Sequence, residues 1–192
     1  MDALTWALAA GLGWTSGIRL YATIFFMGLL QYSGQHTLPA SLAVLAHPWV
    51  IGISGLLFIT EFLADKVPGF DSLWDAVHTF IRIPGGALLA AAAVVDADPG
   101  LAVAAGLLGG TLAAGAHLTK AGSRALLNLS PEPVSNWLAS LTEDVLSISA
   151  LWAMLKFPLL LLGMVGIMAL VCLLLLPQLW RGIRRVLSWR SS

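Results

Sequence analysis

Leu159 to Leu176 reads LLLLGMVGIMALVCLLLL, an apolar run of 18 residues without a charged side chain. A helix crossing a hydrocarbon core of about 30 Å needs roughly 20 such residues, so this stretch predicts a membrane-spanning helix and with it the fold class. The rest of the chain agrees. Of its 192 residues, 58% are hydrophobic and only 10% are charged, far from the balance of a soluble domain. The expectation is an all-α integral membrane bundle, one membrane domain over residues 1–192.

Hydropathy places further full spans at Ala3 to Leu30, Pro48 to Ala64 and Val134 to Leu155, with the opening run extended to Pro158 to Leu176. No basic segment precedes Ala3, and the first apolar stretch outruns a signal-peptide core, so it is expected to be retained as the first span. Between Pro84 and Ala116, two arms rich in Ala, Gly and Leu flank the turn Asp96-Ala-Asp-Pro-Gly100. Pro84 to Val95 and Leu101 to Ala116 reach about 18 Å and about 24 Å as helices. They form a central hairpin packed backbone to backbone, either spanning with short helices or re-entrant. In FDSLWDAVHTFIR, Phe70, Leu73, Trp74, Val77, Phe80 and Ile81 take one helical face, and Asp71, Asp75, His78 and Arg82 take the other. That pattern predicts an amphipathic interfacial helix over 71–82, started by a Ser72/Asp75 capping box.

Net charge is zero but unevenly placed. Lys66, Arg82, Lys120, Arg124 and the terminal Arg181, Arg184, Arg185 and Arg190 fall on one side of this topology, and Lys156 alone falls on the other. The positive-inside rule then puts both termini in the cytoplasm, in a bacterial inner membrane. Cys172 lies in the last span as a small packing residue, and the eight tryptophans form an interfacial belt. Asn128-Leu-Ser130 matches a glycosylation sequon but falls on the cytoplasmic side.

Two stretches resemble each other: AAGLGWTSGIR at Ala9 to Arg19 and AAGAHLTKAGSR at Ala113 to Arg124. The spans that follow them end in Lys66-Val-Pro68 and Lys156-Phe-Pro158, which suggests half-repeats over 1–95 and 101–180. Inverted repeats are a common ground plan of secondary transporters. Arg19, Glu61, Asp65, Lys120, Arg124, Glu143 and Asp144 lie within or beside spans, with His117 near them, and each is costly in lipid unless paired or wet.

Two readings follow. Arg19, Arg124, Ser123, Lys120 and Asn128 bind an anion, with Ser130 able to add a hydrogen bond, while Glu61, Asp65, Glu143 or Asp144 carry a coupling proton. Alternatively, the charges form an ion-pair network in a structural or regulatory subunit. The leading expectation is a transporter or flippase for a small anionic or phosphate-bearing solute or lipid. Its partners are the bilayer and that solute, with no nucleic acid and with a homo-oligomer left open. No cofactor, metal site or catalytic residue is expected: the histidines scatter at His36, His47, His78 and His117, and no nucleophilic triad or phosphate-cradling loop is present. A membrane phosphatase or transferase ranks last.

The strings SGIRLYAT (Ser16 to Thr23), EFLADKVPGFDSLWDAVHTFIR (Glu61 to Arg82) and AGSRALLNLSPEP (Ala121 to Pro133) resemble the membrane family known as domain of unknown function 4126, of bacteria and plant plastids. The resemblance implies a multi-spanning protein and leaves the activity open. Gly122-Ser-Arg124 and Glu61-x-x-x-Asp65 are more loosely similar to polyprenyl-phosphate enzymes and translocases. The serine-rich run of the phosphatases is absent, which favours phosphate binding over hydrolysis.

Overall fold

The computed structural model describes residues 3–67, 69–129 and 133–190, with side chains described as far as 181 except at 133, 172, 176 and 179. Pro68, Ser130 and the side chains of Cys172, Arg184, Arg185 and Arg190 therefore lie outside the described residues. The described residues fold as an all-α bundle of six helices: α1 Ala3–Tyr32, α2 Pro48–Ala64, α3 Phe70–Val95, α4 Pro99–Leu127, α5 Pro133–Lys156 and α6 Pro158–Arg190. A short 3-10 helix, Ala40–Ala46, precedes α2. Helices α3, α4, α5 and α6 are long and apolar enough to cross a membrane, and the 3-10 helix with α2 makes a fifth candidate span bent by 67°.

The first helix differs from the span expected of it. Arg19 has φ −143° and ψ 73°, which divides α1 into arms 3–18 and 20–32. Both arms meet the same end of α5: Gly11 sits against Met154 and Leu161, while Phe26 and Leu30 line a cavity with Leu151, Trp152, Leu155 and Lys156. Only the turn reaches Ser140, Glu143 and Asp144 further down α5. Helix α1 thus enters the bundle, turns at Arg19 and returns. At about 24 Å and 20 Å, neither arm crosses the hydrocarbon core. Such an element is tolerated because it is buried in protein rather than exposed to lipid, and residues 7–23 are indeed buried throughout.

The central hairpin differs in the opposite sense. Helices α3 and α4 run for 26 and 29 residues, about 39 Å and 44 Å by the usual rise, so both arms have spanning length. Segment 71–82 is not a separate interfacial helix but the first half of α3, which continues through Pro84. Its faces are reversed: Asp71, Asp75, His78 and Arg82 are buried, while Leu73, Val77 and Phe80 are exposed. At membrane depth the apolar face meets lipid and the polar face must turn inward. The expected capping box is not made, because Asp75 pairs with Arg82 and the residue before the helix is Gly69, at φ 85°. Asp98 does cap α4, accepting from the Gly100 and Leu101 amides at 2.8 and 3.1 Å ahead of Pro99 at the first turn.

Small residues bind the first arm, α3 and α4 along one seam. A methyl group on Gly13 would stand 2.6 Å from the Gly109 Cα, and one on Gly86 would stand 2.6 Å from the Ala113 methyl. Gly17 meets Ala113 in the same way, so the two similar stretches of sequence pack directly on each other. Without a hydrophobic drive between helices in lipid, this close backbone approach is what holds them together.

Because α1 returns to the end it started from, its N-terminal arm lies at the end of the bundle where α5 finishes and α6 begins. Helix α6 runs from there past Thr111 to Leu118 of α4, toward the opposite end. Placing both chain termini on one side does not follow from this arrangement.

Candidate functional site

The turn of α1 brings Arg19 into a cluster that holds ten of the chain's twenty charged residues. Arg19 approaches Asp65 at 2.5 Å, Asp144 at 3.0 Å and Glu143 at 3.5 Å, and it donates to the Ser140 hydroxyl at 3.2 Å. Its side chain is fully buried. The Asp65 and Asp144 approaches are ionic contacts without aligned hydrogen bonds, since Arg19 Nε and Nη1 have no hydrogen-bond partner.

Helix α3 supplies Arg82, which pairs with Glu61 and, at 2.7 Å, with Asp75. It also donates to His117 Nδ1 at 3.1 Å. His117 Nε2 stands 2.7 Å from the Thr79 hydroxyl, which itself donates to the Asp75 carbonyl. That pattern assigns the neutral imidazole with its proton on Nε2.

Helix α4 supplies two cations one turn apart. The Lys120 ammonium lies 3.0 Å from Asp65, 3.5 Å from both Asp75 and Glu143, and 3.4 Å from the Ile18 carbonyl at the end of the first arm. A cation at that carbonyl suits the negative end of a helix. Arg124 grips Glu143 with two parallel bonds of 3.1 and 3.0 Å and caps the Asp65 and Asn136 carbonyls. Asn128, below it, bonds Asp71 and Ser72 at 2.7 and 2.8 Å and accepts from Asn136.

The cluster therefore gathers Arg19, Lys120, Arg124, Glu61, Asp65, Glu143 and Asp144 in one place, with Asn128 at its edge. Ser123 instead donates to the Thr119 carbonyl of its own helix. Asp71, Asp75 and Arg82, together with Ser140 and Asn136, belong to it too, although the sequence pattern put the first three on an outward face. A signal for them exists: Asp71, Asp75, His78 and Arg82 are in helical phase with Gly86, Leu89 and Ala93, so one continuous stripe runs down α3.

Six carboxylates face four cations, with a fifth, Lys66, at the rim. Lys66 lies over the Phe62 ring and 3.4 Å from the Ser140 hydroxyl. Burial lowers its pKa below the ordinary lysine value; Asp144 and Asp65 oppose the shift, and Arg19 and Arg124 reinforce it. Glu61 Oε2, Asp65 Oδ1 and both Asp144 oxygens are buried without hydrogen-bond partners. Glu143 and Asp144 keep side-chain exposures of 15% and 12%, whereas Glu61 and Asp65 have none. Among the described residues, no three His, Cys, Asp or Glu side chains are arranged to hold a metal ion.

Two spaces approach the cluster. A cavity of about 510 Å³ between the second arm and α5 reaches Ile148, one turn from Asp144. A groove of about 270 Å³ between α4 and α5 ends on Lys120 and Glu143.

The family model described as Domain of unknown function (DUF4126) matches residues 6–178, which covers the whole bundle up to the start of the basic tail. Neither the curated proteins nor the solved structures contain a match to the chain.

Proposed function

The chain belongs to the family described as Domain of unknown function (DUF4126), and we propose that it is a proton-coupled membrane transporter whose charge cluster is the coupling site. One observation carries this reading: α1 breaks at Arg19, and the break lies inside a buried cluster of carboxylates and cations. Irregular backbone at membrane depth is tolerated where it is buried in protein or lines a water-filled cavity, and interrupted helices carry the ion and substrate contacts of secondary transporters.

The chemistry follows from the unequal charge count. With six carboxylates to four cations, the cluster can hold an extra proton, and the partly exposed Glu143 gives it a way in to the buried Asp144 carboxylate beside it. Protonation of Asp144 weakens its hold on Arg19 Nε. Asp65 keeps Nη1, and the Nε edge of the guanidinium is left to donate to an anionic solute, so solute and proton bind together. The cavity that reaches Ile148 supplies an approach from the far end of the bundle. With the Lys66 and Arg181 end in the cytoplasm, that cavity and the N-terminal arm face outward.

A second reading has its own support: Glu61, Asp65, Arg19 and Arg82 are paired and dry, as in a structural subunit held by ion pairs. Vesicle reconstitution separates the two. Under imposed gradients of phosphate or short-chain carboxylate, a transporter acidifies vesicles loaded with a pH dye, and Asp144→Asn abolishes the signal while leaving the fold. A structural subunit gives no proton movement with any anion.

A further inference from the structure

The cavity of about 510 Å³ between the second arm of α1 and α5 is sorted along its length. Phe26, Leu30, Ile148, Leu151 and Leu155 make its interior apolar, and Gln35, His36 and Lys156 gather at its mouth. From Lys156 down to Ile148, α5 descends about 12 Å by the usual rise. That is most of the roughly 15 Å of hydrocarbon in one leaflet. Ile148 and Trp152, both in the lining, are also 46% and 58% exposed on the outer surface of α5, so the cavity opens sideways to the bilayer as well as at its end.

Lys156 sets the character of this mouth. It is exposed in the last turn of α5, and no carboxylate, carbonyl or ring among the described residues engages it. It is also the one described lysine or arginine at this end of the bundle. Arg19, Arg82, Lys120 and Arg124 are held in the cluster, and Lys66 and Arg181 lie toward the opposite end. The acids of the α3–α4 turn are engaged elsewhere: Asp96 takes the Ser41 amide and hydroxyl, and Asp98 caps α4. A cation at headgroup depth without a partner on its own chain is available to a lipid head.

We propose that this cavity binds an anionic membrane lipid, with one acyl chain between the second arm and α5 and the head group on Lys156. Charge and length select this occupant together. A free anion has no use for an apolar interior of leaflet depth, and a zwitterionic lipid, which brings its own cation, gains less from Lys156. The tail rather than the head reaches Ile148, one turn from Asp144, so the bound lipid closes the approach to the charge cluster from this end. That closure rests on the transport reading above; the lipid site itself does not.

The test is thermal unfolding of the purified full chain in mild detergent with three additives: phosphatidylglycerol, phosphatidylcholine with the same chains, and glycerol phosphate, the head without chains. Phosphatidylglycerol should raise the melting temperature saturably by several degrees. Phosphatidylcholine should need about fivefold more lipid for the same shift, the worth of one cation at a membrane surface, and glycerol phosphate should give none. Lys156→Gln should remove the preference between the two lipids and leave the lipid-free protein as stable as before, because the ammonium has no partner to lose. Lys156→Arg should keep the preference. Ile148→Trp, which fills the deep end, should abolish the shift, while Leu107→Trp on the exposed side of α4 should not. If Ile148→Trp fails to fold, the two Lys156 variants decide alone.

In vesicles under a phosphate gradient, Lys156→Gln should take up protons faster than wild type when the bilayer contains phosphatidylglycerol, and at the wild-type rate in phosphatidylcholine alone. Equal affinity of the wild type for the two lipids, a preference untouched by Lys156→Gln, or a shift with glycerol phosphate alone would overturn the lipid site. Equal uptake by wild type and variant in phosphatidylglycerol, with the binding preference intact, would overturn the closure and spare the site. Absence of proton movement in every vesicle would remove the transport reading, and the unfolding experiment would still decide the lipid site.

Discussion

Arg82→Met separates the architecture described here from the one that helical periodicity suggests. On an interfacial helix, Arg82 would sit in water beside lipid headgroups, and its loss would cost about 0–1 kcal/mol, as for other exposed ion pairs. In the structure its side chain is fully buried, with Glu61 and Asp75 as ionic partners and His117 as a third contact. Replacing it by Met leaves two carboxylates without their main counter-charge, a change that costs about 3–5 kcal/mol when one member of a buried pair is removed. For a chain of this size, 1 kcal/mol corresponds to roughly 2–4 °C, so the melting temperature should fall by about 6–20 °C. Scanning fluorimetry in detergent reads this directly. Adding Glu61→Gln to Arg82→Met should recover part of the loss, because it removes a stranded charge. A drop below about 4 °C for the single variant, the range expected of a surface site, would refute the inward orientation of the α3 polar stripe.

Other outcomes follow from the same packing. Gly109→Ala places a methyl against Ala90 in the seam and should cost about 1–3 kcal/mol by overpacking, whereas Gly163→Ala meets nothing within 4 Å and should be neutral or gain up to about 1 kcal/mol; denaturant titration checks both. Cysteines placed at Leu4 and Gln35 in a Cys172→Ala background should react with an impermeant reagent from one side of the membrane, and a cysteine at Arg181 from the other. Labelling of positions 4 and 181 from the same side would show that α1 crosses. Ser41→Ala removes the hydroxyl's contacts with the Ala92 carbonyl and Asp96, leaving the Ser41 N–H bond to Asp96, and should cost about 1 kcal/mol, read as faster hydrogen exchange over residues 40–46.

The parts of this fold that sequence makes legible are those where one residue type has one physical use. Leu159 to Leu176 can only be a span, Asp98-Pro-Gly can only turn and cap, and a charge such as Arg19 amid apolar residues must find partners. Glu61 and Asp65 follow as those partners, because the next helix in the chain packs against the first. What sequence hides is anything that depends on where lipid and protein lie. Phe80 and Asp75 sit on opposite faces in either setting, and only the surroundings decide which face points in. The break at Arg19 is only faintly marked: Ser16-Gly17 precedes it, a pairing found at helix kinks, but Gly122-Ser123 sits inside α4 without breaking it. What forces it is tertiary: the Ile18 carbonyl takes Lys120, and the guanidinium takes Asp65 and Asp144.

The most direct measurement on the central claim is proton uptake into vesicles by Arg19→Lys, compared with wild type at equal folded protein. Lysine keeps the charge that Asp65 and Asp144 require, so the fold should survive with a melting temperature within a few degrees. It loses the planar two-pronged donor face, so anion-driven uptake should fall at least about tenfold if Arg19 takes the solute. Uptake at the wild-type rate in Arg19→Lys would contradict the account, because it would leave the turn of α1 as a site of charge pairing and nothing more.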